Sequence, residues 1–304
     1  MADPSLRRRA RTFVTGGLVL ALVAAVGGLL LSGDAGPTAL FDPGPLVRWG
    51  LPAVTVGVDV AATVTIGAFA LCALVLRRPA PVGTAPSRAA RAPQPAAAGT
   101  EHQPDGTAWR QAALVGTVAA VAWAILQAGQ LLLTHASITG SGIGGEQYGA
   151  QLFQFLTEIE LGRTLAWSVV LSAVVAVAAV AVAGYTSAAW AAVVAVVALV
   201  PTAMTGHSAG ATGHELAVSS LWMHLVGVCL WLGGLVVLLL VAHRTGPLLP
   251  DAVDRYSRMA LWSFVLVAVS GAANAWLRLG APTELVTTPY GVLLLTKILL
   301  FVAL

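Results

Sequence analysis

The sequence predicts an all-α fold, a polytopic transmembrane bundle of about eight helices, the last of them incomplete. Three observations lead to this class. Hydrophobic residues make up 58% of the 304 residues and charged residues only 10%, whereas soluble domains carry about a quarter charged residues. The mean hydropathy is +0.85. Apolar stretches of about 20 residues, the length that crosses a bilayer, recur along the chain. The lipid bilayer is therefore the first predicted partner.

Eight apolar segments give these helices when the chain is read with a window of about 19 residues. The first follows RRRAR, as in a signal peptide, but its apolar run is longer than the usual run of about 7–15 residues. An uncleaved helix is therefore predicted. The last segment ends without a polar flank, and we expect the chain to be cut short there. The segments cover residues 13–32, 51–76, 109–134, 162–184, 187–205, 216–241, 257–277 and 290–304.

The placement of arginines predicts the orientation. If every segment crosses, the arginines before the first segment, after the second and after the sixth all lie on one side. By the positive-inside rule that side is cytoplasmic, so the N-terminus is predicted in the cytoplasm and the chain in the bacterial plasma (inner) membrane. The net charge of +3 reflects these clusters, and no nucleic-acid partner is predicted.

Three regions are predicted along the chain. Residues 1–76 form an amino-terminal two-helix unit, residues 77–108 a disordered cytoplasmic linker rich in proline and alanine, and residues 109–304 the membrane bundle. Cys72 and Cys229 lie in separate apolar runs and give no disulfide framework. No nucleophile, base and acid can be grouped, so we do not expect an enzyme.

Ligand-type side chains concentrate at the predicted outer face. His207 and His214 fall in a glycine-rich loop, and His224 lies roughly 13 Å deeper in the next helix. An imidazole at membrane depth is costly unless it is paired, ligating or lining a cavity. Imidazole and thioether donors together suit copper, although solvation of the loop histidines is an alternative. The candidate metal ligands are His135, His207, His214, His224, Met204 and Met223.

Other polar side chains fall inside the predicted helices. An ion pair between Asp59 and Lys297 would neutralise two charges that each cost a few kcal/mol in a membrane. Alternatively, Asp59 is a way-station for a cation or a proton. Asp59, Asn274 and Lys297 are the candidate relay residues. Gln127, Gln130 and Asn274 are also predicted to hydrogen-bond between helices.

Two glycines follow His224 at helical spacing. Gly227, Trp231 and Gly234 share one face of the sixth segment. Since glycine lets helix backbones approach closely, we expect another helix to pack against this face.

Three runs near the end of the chain resemble the copper resistance D (CopD) family of bacterial inner-membrane proteins. They are LWMHLVGVCLWLGGLVVLLL, DRYSRMALWSFVLVAVSGAANAW and TPYGVLLLTKILL, in this order. The resemblance places a CopD-like module at about 200–304, whereas the first 190 residues carry no such motif. It implies about eight helices and movement of copper across the inner membrane. His224, Tyr256, Ser257, Tyr290 and Lys297 occupy motif positions.

The resemblance also concerns partners. In some actinobacterial relatives a second membrane module, similar to cytochrome c oxidase assembly proteins, follows, and the chain would then be the amino-terminal part of such a fusion. Components of a respiratory oxidase are the protein partners that the resemblance implies. A periplasmic copper carrier is a further predicted partner, because the sequence contains no visible energy-coupling motif.

The leading prediction is copper transport or import across the plasma membrane, or copper resistance, with copper bound at an outer His/Met site. His207 and His214 would capture the ion, with His135 as a third donor. His224 would relay it, helped by one of the methionines.

Two alternatives belong to other classes. A b-type haem protein of electron transfer would use His135 and His224 as axial ligands, since bundles hold haem between histidines on facing helices. A non-catalytic assembly factor for a respiratory oxidase would carry these histidines incidentally.

Overall fold

The computed structural model describes residues 16, 43–77, 106–140, 144–145, 147–205, 214–279, 281 and 283–303. This part of the chain is helical and contains no strand. Six of its helices are long and apolar enough to cross a membrane. The predicted class, an all-α polytopic bundle, is confirmed. Nearly all of the first predicted segment and nearly all of the predicted linker lie outside the described residues.

The helices follow the predicted segments in order, with ends that differ by a few residues. The six spanning helices are α1, α2, α4, α5 continued by α6, α7 continued through α8, and α9; α11 is a shorter apolar helix. Their bounds are α1 Pro45–Leu74, α2 Thr107–Thr139, α3 Tyr148–Glu158, α4 Glu160–Val180, α5 Tyr185–Val197, α6 Val200–Met204, α7 His214–Val228, α8 Gly234–Val241, α9 Leu249–Arg278, α10 Glu284–Thr287 and α11 Pro289–Ala303.

α1 is the most buried of the spanning helices. Two hydrophobic clusters meet on it: Leu71 belongs to one and Phe69 to the other, and both are fully buried. The first cluster brings in α2, α8 and α9, and the second α2, α4 and α5. A helix buried on most of its circumference is the expected centre of a bundle.

The short helix α3 was not predicted. It is amphipathic, because Phe155 is buried whereas Phe153 is 68% exposed. Phe155 packs with Leu131 of α2 and Leu165 of α4. The helix has only 11 residues, too few to cross a membrane, and it covers the end of α2.

Proline interrupts the fifth predicted segment. α5 ends at Val197 and α6 begins at Val200, with Pro201 in its first turn. Proline has no N–H, so the carbonyl four residues earlier loses its helical donor. Two residues therefore separate α5 from α6, although the hydropathy pattern predicted one continuous helix.

A π-helical segment, Cys229–Gly233, lies between α7 and α8. Segments of this kind are rare and often mark functional sites. Tyr256 of α9 donates a hydrogen bond from its hydroxyl to the carbonyl of Trp231, at 2.8 Å. A side chain of α9 therefore stabilises the backbone of the π-helical segment.

The predicted close approach at Gly227 and Gly234 is confirmed. A Cβ at Gly227 would lie 2.7 Å from a methyl carbon of Val267, and one at Gly234 would lie 3.0 Å from the Tyr256 ring. Both contacts are on α9. Since both spacings are tighter than ordinary van der Waals contact, these glycines set the distance between α7, α8 and α9.

One end of the bundle brings together two of the segments that the arginine pattern placed on one side, those after the second and the sixth predicted helices. Arg77 pairs with Asp251 at 3.2 Å, and Arg255 pairs with the same carboxylate at 3.3 Å. Thr107 donates to the carbonyl of Arg244 at 3.5 Å. Because the helices alternate in direction, His135 near the end of α2 lies toward the opposite end.

Candidate functional site

Polar side chains line the contact between α7 and α9. We call this the α7–α9 seam and define it as Ser220, His224, Ser270 and Asn274. Ser220 Oγ donates to Asn274 Oδ1 at 2.9 Å, and His224 Nδ1 lies 3.2 Å from Ser270 Oγ. Asn274 Nδ2 donates to the Ser270 carbonyl at 3.0 Å. The seam is therefore one connected hydrogen-bond network.

Helical spacing builds this seam. Ser220 and His224 are separated by four residues on α7, and Ser270 and Asn274 by four on α9. Residues at this spacing share one helix face, so the two helices present two polar pairs to each other. Ser220 and Ser270 are buried and His224 is half-buried.

The His224 ring has two polar contacts on α9. Its Nδ1 lies 3.2 Å from Ser270 Oγ, and the backbone of Val267 also forms a hydrogen bond with the ring. His224 lies about 15 Å along α7 from His214. The charge of Lys297 on α11 also acts on the ring. The structure therefore gives His224 polar partners within a candidate membrane-spanning helix.

His135 is fully buried at the end of α2. Its ring packs edge-on against Tyr148, with centroids 5.0 Å apart, and against Phe155, at 5.4 Å. Both ring nitrogens and the Tyr148 hydroxyl have no hydrogen-bond partner among the described residues. Each such buried group costs about 1–3 kcal/mol. Since both partners lie on α3, this short helix encloses His135.

The remaining predicted ligands are only partly described. His207 lies outside the described residues, and His214 is the first residue of α7, without a described side chain. Met204 and Met223 are 42% and 37% exposed. No group of three His, Cys, Asp or Glu side chains that could hold a metal ion occurs within the described ranges. Joint capture by His207 and His214 stays a prediction.

The predicted ion pair between Asp59 and Lys297 is not formed. Both side chains are exposed on the described bundle. Asp59 acts electrostatically on Cys229, whose Sγ lies 3.5 Å from Thr63 Oγ1, whereas Lys297 acts on His224. Different neighbours surround the two charges.

Of the predicted polar contacts between helices, that of Gln130 joins α2 to α1, whereas Gln127 bonds within α2. Gln127 Nε2 donates to Gln130 Oε1 at 2.8 Å, and Gln130 Nε2 donates to Thr55 Oγ1 at 3.1 Å. The Thr55 hydroxyl in turn donates to the carbonyl of Leu51. These hydrogen bonds connect α2 to α1, as the bond between Ser220 and Asn274 connects α7 to α9.

The haem alternative is not favoured. It needs the rings of His135 and His224 to face a common site. Instead, His135 packs against Tyr148 and Phe155, whereas His224 lies against Ser270.

Sequence reasoning missed Ser220 and Ser270. Serine is common in apolar helices, where its hydroxyl bonds to its own backbone. The available signal was the spacing: Ser220 precedes His224, and Ser270 precedes Asn274, by one helical turn. This spacing indicates a polar pair on each helix, but not that the two helices pack against each other.

The spanning helices and the seam define the class: a multi-pass membrane protein with a polar site inside its helix bundle. Comparison with protein families then gives two matches. The family described as copper resistance protein D-like, N-terminal domain, matches residues 45–218. The family described as copper resistance protein D matches residues 250–304. Since the first match alone covers more than half of the chain, the protein belongs to the copper resistance protein D family.

These matches extend the resemblance seen in the sequence. The family is confirmed, and the match over 45–218 includes helices in which no motif was recognised. No curated protein and no solved structure matches the chain. A copper resistance family makes copper the ion to consider at the seam.

Proposed function

We propose that this protein moves copper across the plasma membrane, with copper binding at an outer His/Met site and His224 as the first relay inside the bundle. The observation that carries the proposal is the position of His224. Its ring lies within a candidate membrane-spanning helix and has a polar partner in Ser270. The family supplies the identity of the cargo.

Capture belongs to the outer end of the bundle. His207 and His214 bind the arriving ion, with His135 as a third donor after α3 moves aside. Met204 and Met223 provide thioether sulfur, which Cu(I) favours, whereas imidazole nitrogen also serves Cu(II). The exposure of Met204 at the end of α6 supports this role.

Asp59 is the proposed next station after His224. Its carboxylate acts on Cys229, which lies five residues beyond His224 and therefore about 7 Å further along the helix. Asn274 contributes by holding Ser220 and the Ser270 backbone in place. A carboxylate at membrane depth offers a cation a compensating charge.

The setting of this activity is also proposed. The N-terminus lies in the cytoplasm, and a periplasmic carrier delivers copper to the outer face. Fusion to a module for cytochrome c oxidase assembly would direct the imported ion to a respiratory oxidase. The family supports the copper part of this scheme.

Copper accumulation in cells that express the protein tests the proposal. His224→Ala, and separately His207→Ala with His214→Ala, should lower accumulation toward that of cells without the protein. His243→Ala is the matched control, because His243 lies at the opposite end beside Arg244. Equal accumulation in all variants, with equal protein in the membrane, contradicts the proposal.

A further inference from the structure

Ser270 links His224 to the backbone of α9. Its hydroxyl lies 2.6 Å from the Leu266 carbonyl oxygen and 3.2 Å from that of Val267. A serine hydroxyl carries a single hydrogen, and both carbonyls can only accept. The hydrogen is therefore engaged within α9, and Ser270 Oγ offers His224 Nδ1 only a lone pair.

The contact with Ser270 therefore requires a hydrogen on the histidine. The Nδ1 atom lies 3.2 Å from Ser270 Oγ, and two lone pairs that face each other do not form a hydrogen bond. Nδ1 must then carry the hydrogen that this contact uses.

We propose that Ser270 is a positioning residue that holds His224 as the Nδ1–H tautomer, with the Nε2 lone pair as the atom that binds copper. Ligating histidines commonly donate the other ring N–H to a nearby acceptor, which fixes both tautomer and orientation. The assignment of copper as the ligand rests on the proposed function, whereas the assignment of the tautomer rests on the contact with Ser270.

Nitrogen NMR of protein labelled with ¹⁵N-histidine in lipid nanodiscs tests the tautomer, because protonated and unprotonated ring nitrogens have different shifts. The His224 signals are those lost in His224→Gln. In the copper-free wild type above the titration range, we expect a hydrogen on Nδ1 and none on Nε2. A hydrogen on Nε2 in the wild type overturns the assignment, whatever the copper assays show.

Ser263 provides a matched control on the same helix. Like Ser270 it is buried and donates to its own backbone, at 2.9 Å from the Met259 carbonyl. Ser270→Ala should populate the Nε2–H tautomer and weaken copper binding about tenfold. Ser263→Ala should change neither, and Ser270→Thr, which keeps the hydroxyl, should restore both.

The two proposals fail separately in these experiments. Equal effects of Ser270→Ala and Ser263→Ala on the His224 shifts contradict the positioning role. Wild-type Nδ1–H shifts together with copper binding that is unchanged in His224→Gln contradict the copper relay but keep the tautomer.

Discussion

Gly67 of α1 lies directly against Gly233 at the end of the π-helical segment. A Cβ added to Gly67 would overlap the Gly233 backbone, and one added to Gly233 would overlap the carbonyl of Thr63. Both clashes are with backbone, which cannot rotate away. The central helix and the irregular segment can therefore meet only where both residues lack a side chain.

Gly67→Ala is expected to destabilise the bundle, since overpacking a tight contact costs about 1–3 kcal/mol or more. Thermal unfolding in detergent measures the change. Gly129→Ala is the control, because its Cβ would lie 3.8 Å from Val54, an ordinary contact. Similar unfolding temperatures for the two variants would contradict the close contact between Gly67 and Gly233.

Tyr256→Phe should lower stability by about 1 kcal/mol, the usual contribution of one hydrogen bond. The variant removes the donor to the Trp231 carbonyl and keeps the ring. Tyr148→Phe is its counterpart, because the buried Tyr148 hydroxyl has no partner in the described residues. Equal losses in both variants contradict the assigned bond.

His135→Phe separates the structural from the functional role of His135. Because both ring nitrogens are buried without partners among the described residues, replacing them with carbon should leave the unfolding temperature unchanged or raise it. Copper accumulation should nevertheless fall if His135 is a donor.

His224→Phe should behave differently, since it loses the contact with Ser270 and is expected to unfold at a lower temperature. If His135→Phe is the less stable of the two, His135 has a hydrogen-bond partner that the described residues do not show.

Lys297→Gln should strengthen copper binding severalfold. The Lys297 ammonium acts on His224, and a like charge opposes a bound cation. Lys297→Arg keeps the charge and should bind as the wild type does. Titration of the purified variants with copper measures the affinity, and weaker binding in Lys297→Gln would instead indicate that Lys297 supports the site.

Hydropathy was sufficient to predict the spanning helices, because burial in lipid requires long apolar runs. It did not predict α3, a short amphipathic helix in which Phe155 is buried and Phe153 exposed, because a window of about 19 residues averages over so short a helix. Nor did it predict the break before Pro201, which depends on a missing backbone donor.

The candidate site was predicted only in part. His224 was identified because an imidazole at membrane depth is unusual, but its partner Ser270 depends on which helix packs against α7. The proposed pairing of Asp59 with Lys297 failed for the same reason. Charge alone does not say which helices are neighbours.

The most direct measurement of the central claim is the copper content of the purified protein, determined by elemental analysis for the wild type, His224→Ala and His243→Ala. We expect bound copper in the wild type and in His243→Ala and its loss in His224→Ala. Copper that is equal in all three, or absent from the wild type after loading with copper, would contradict it.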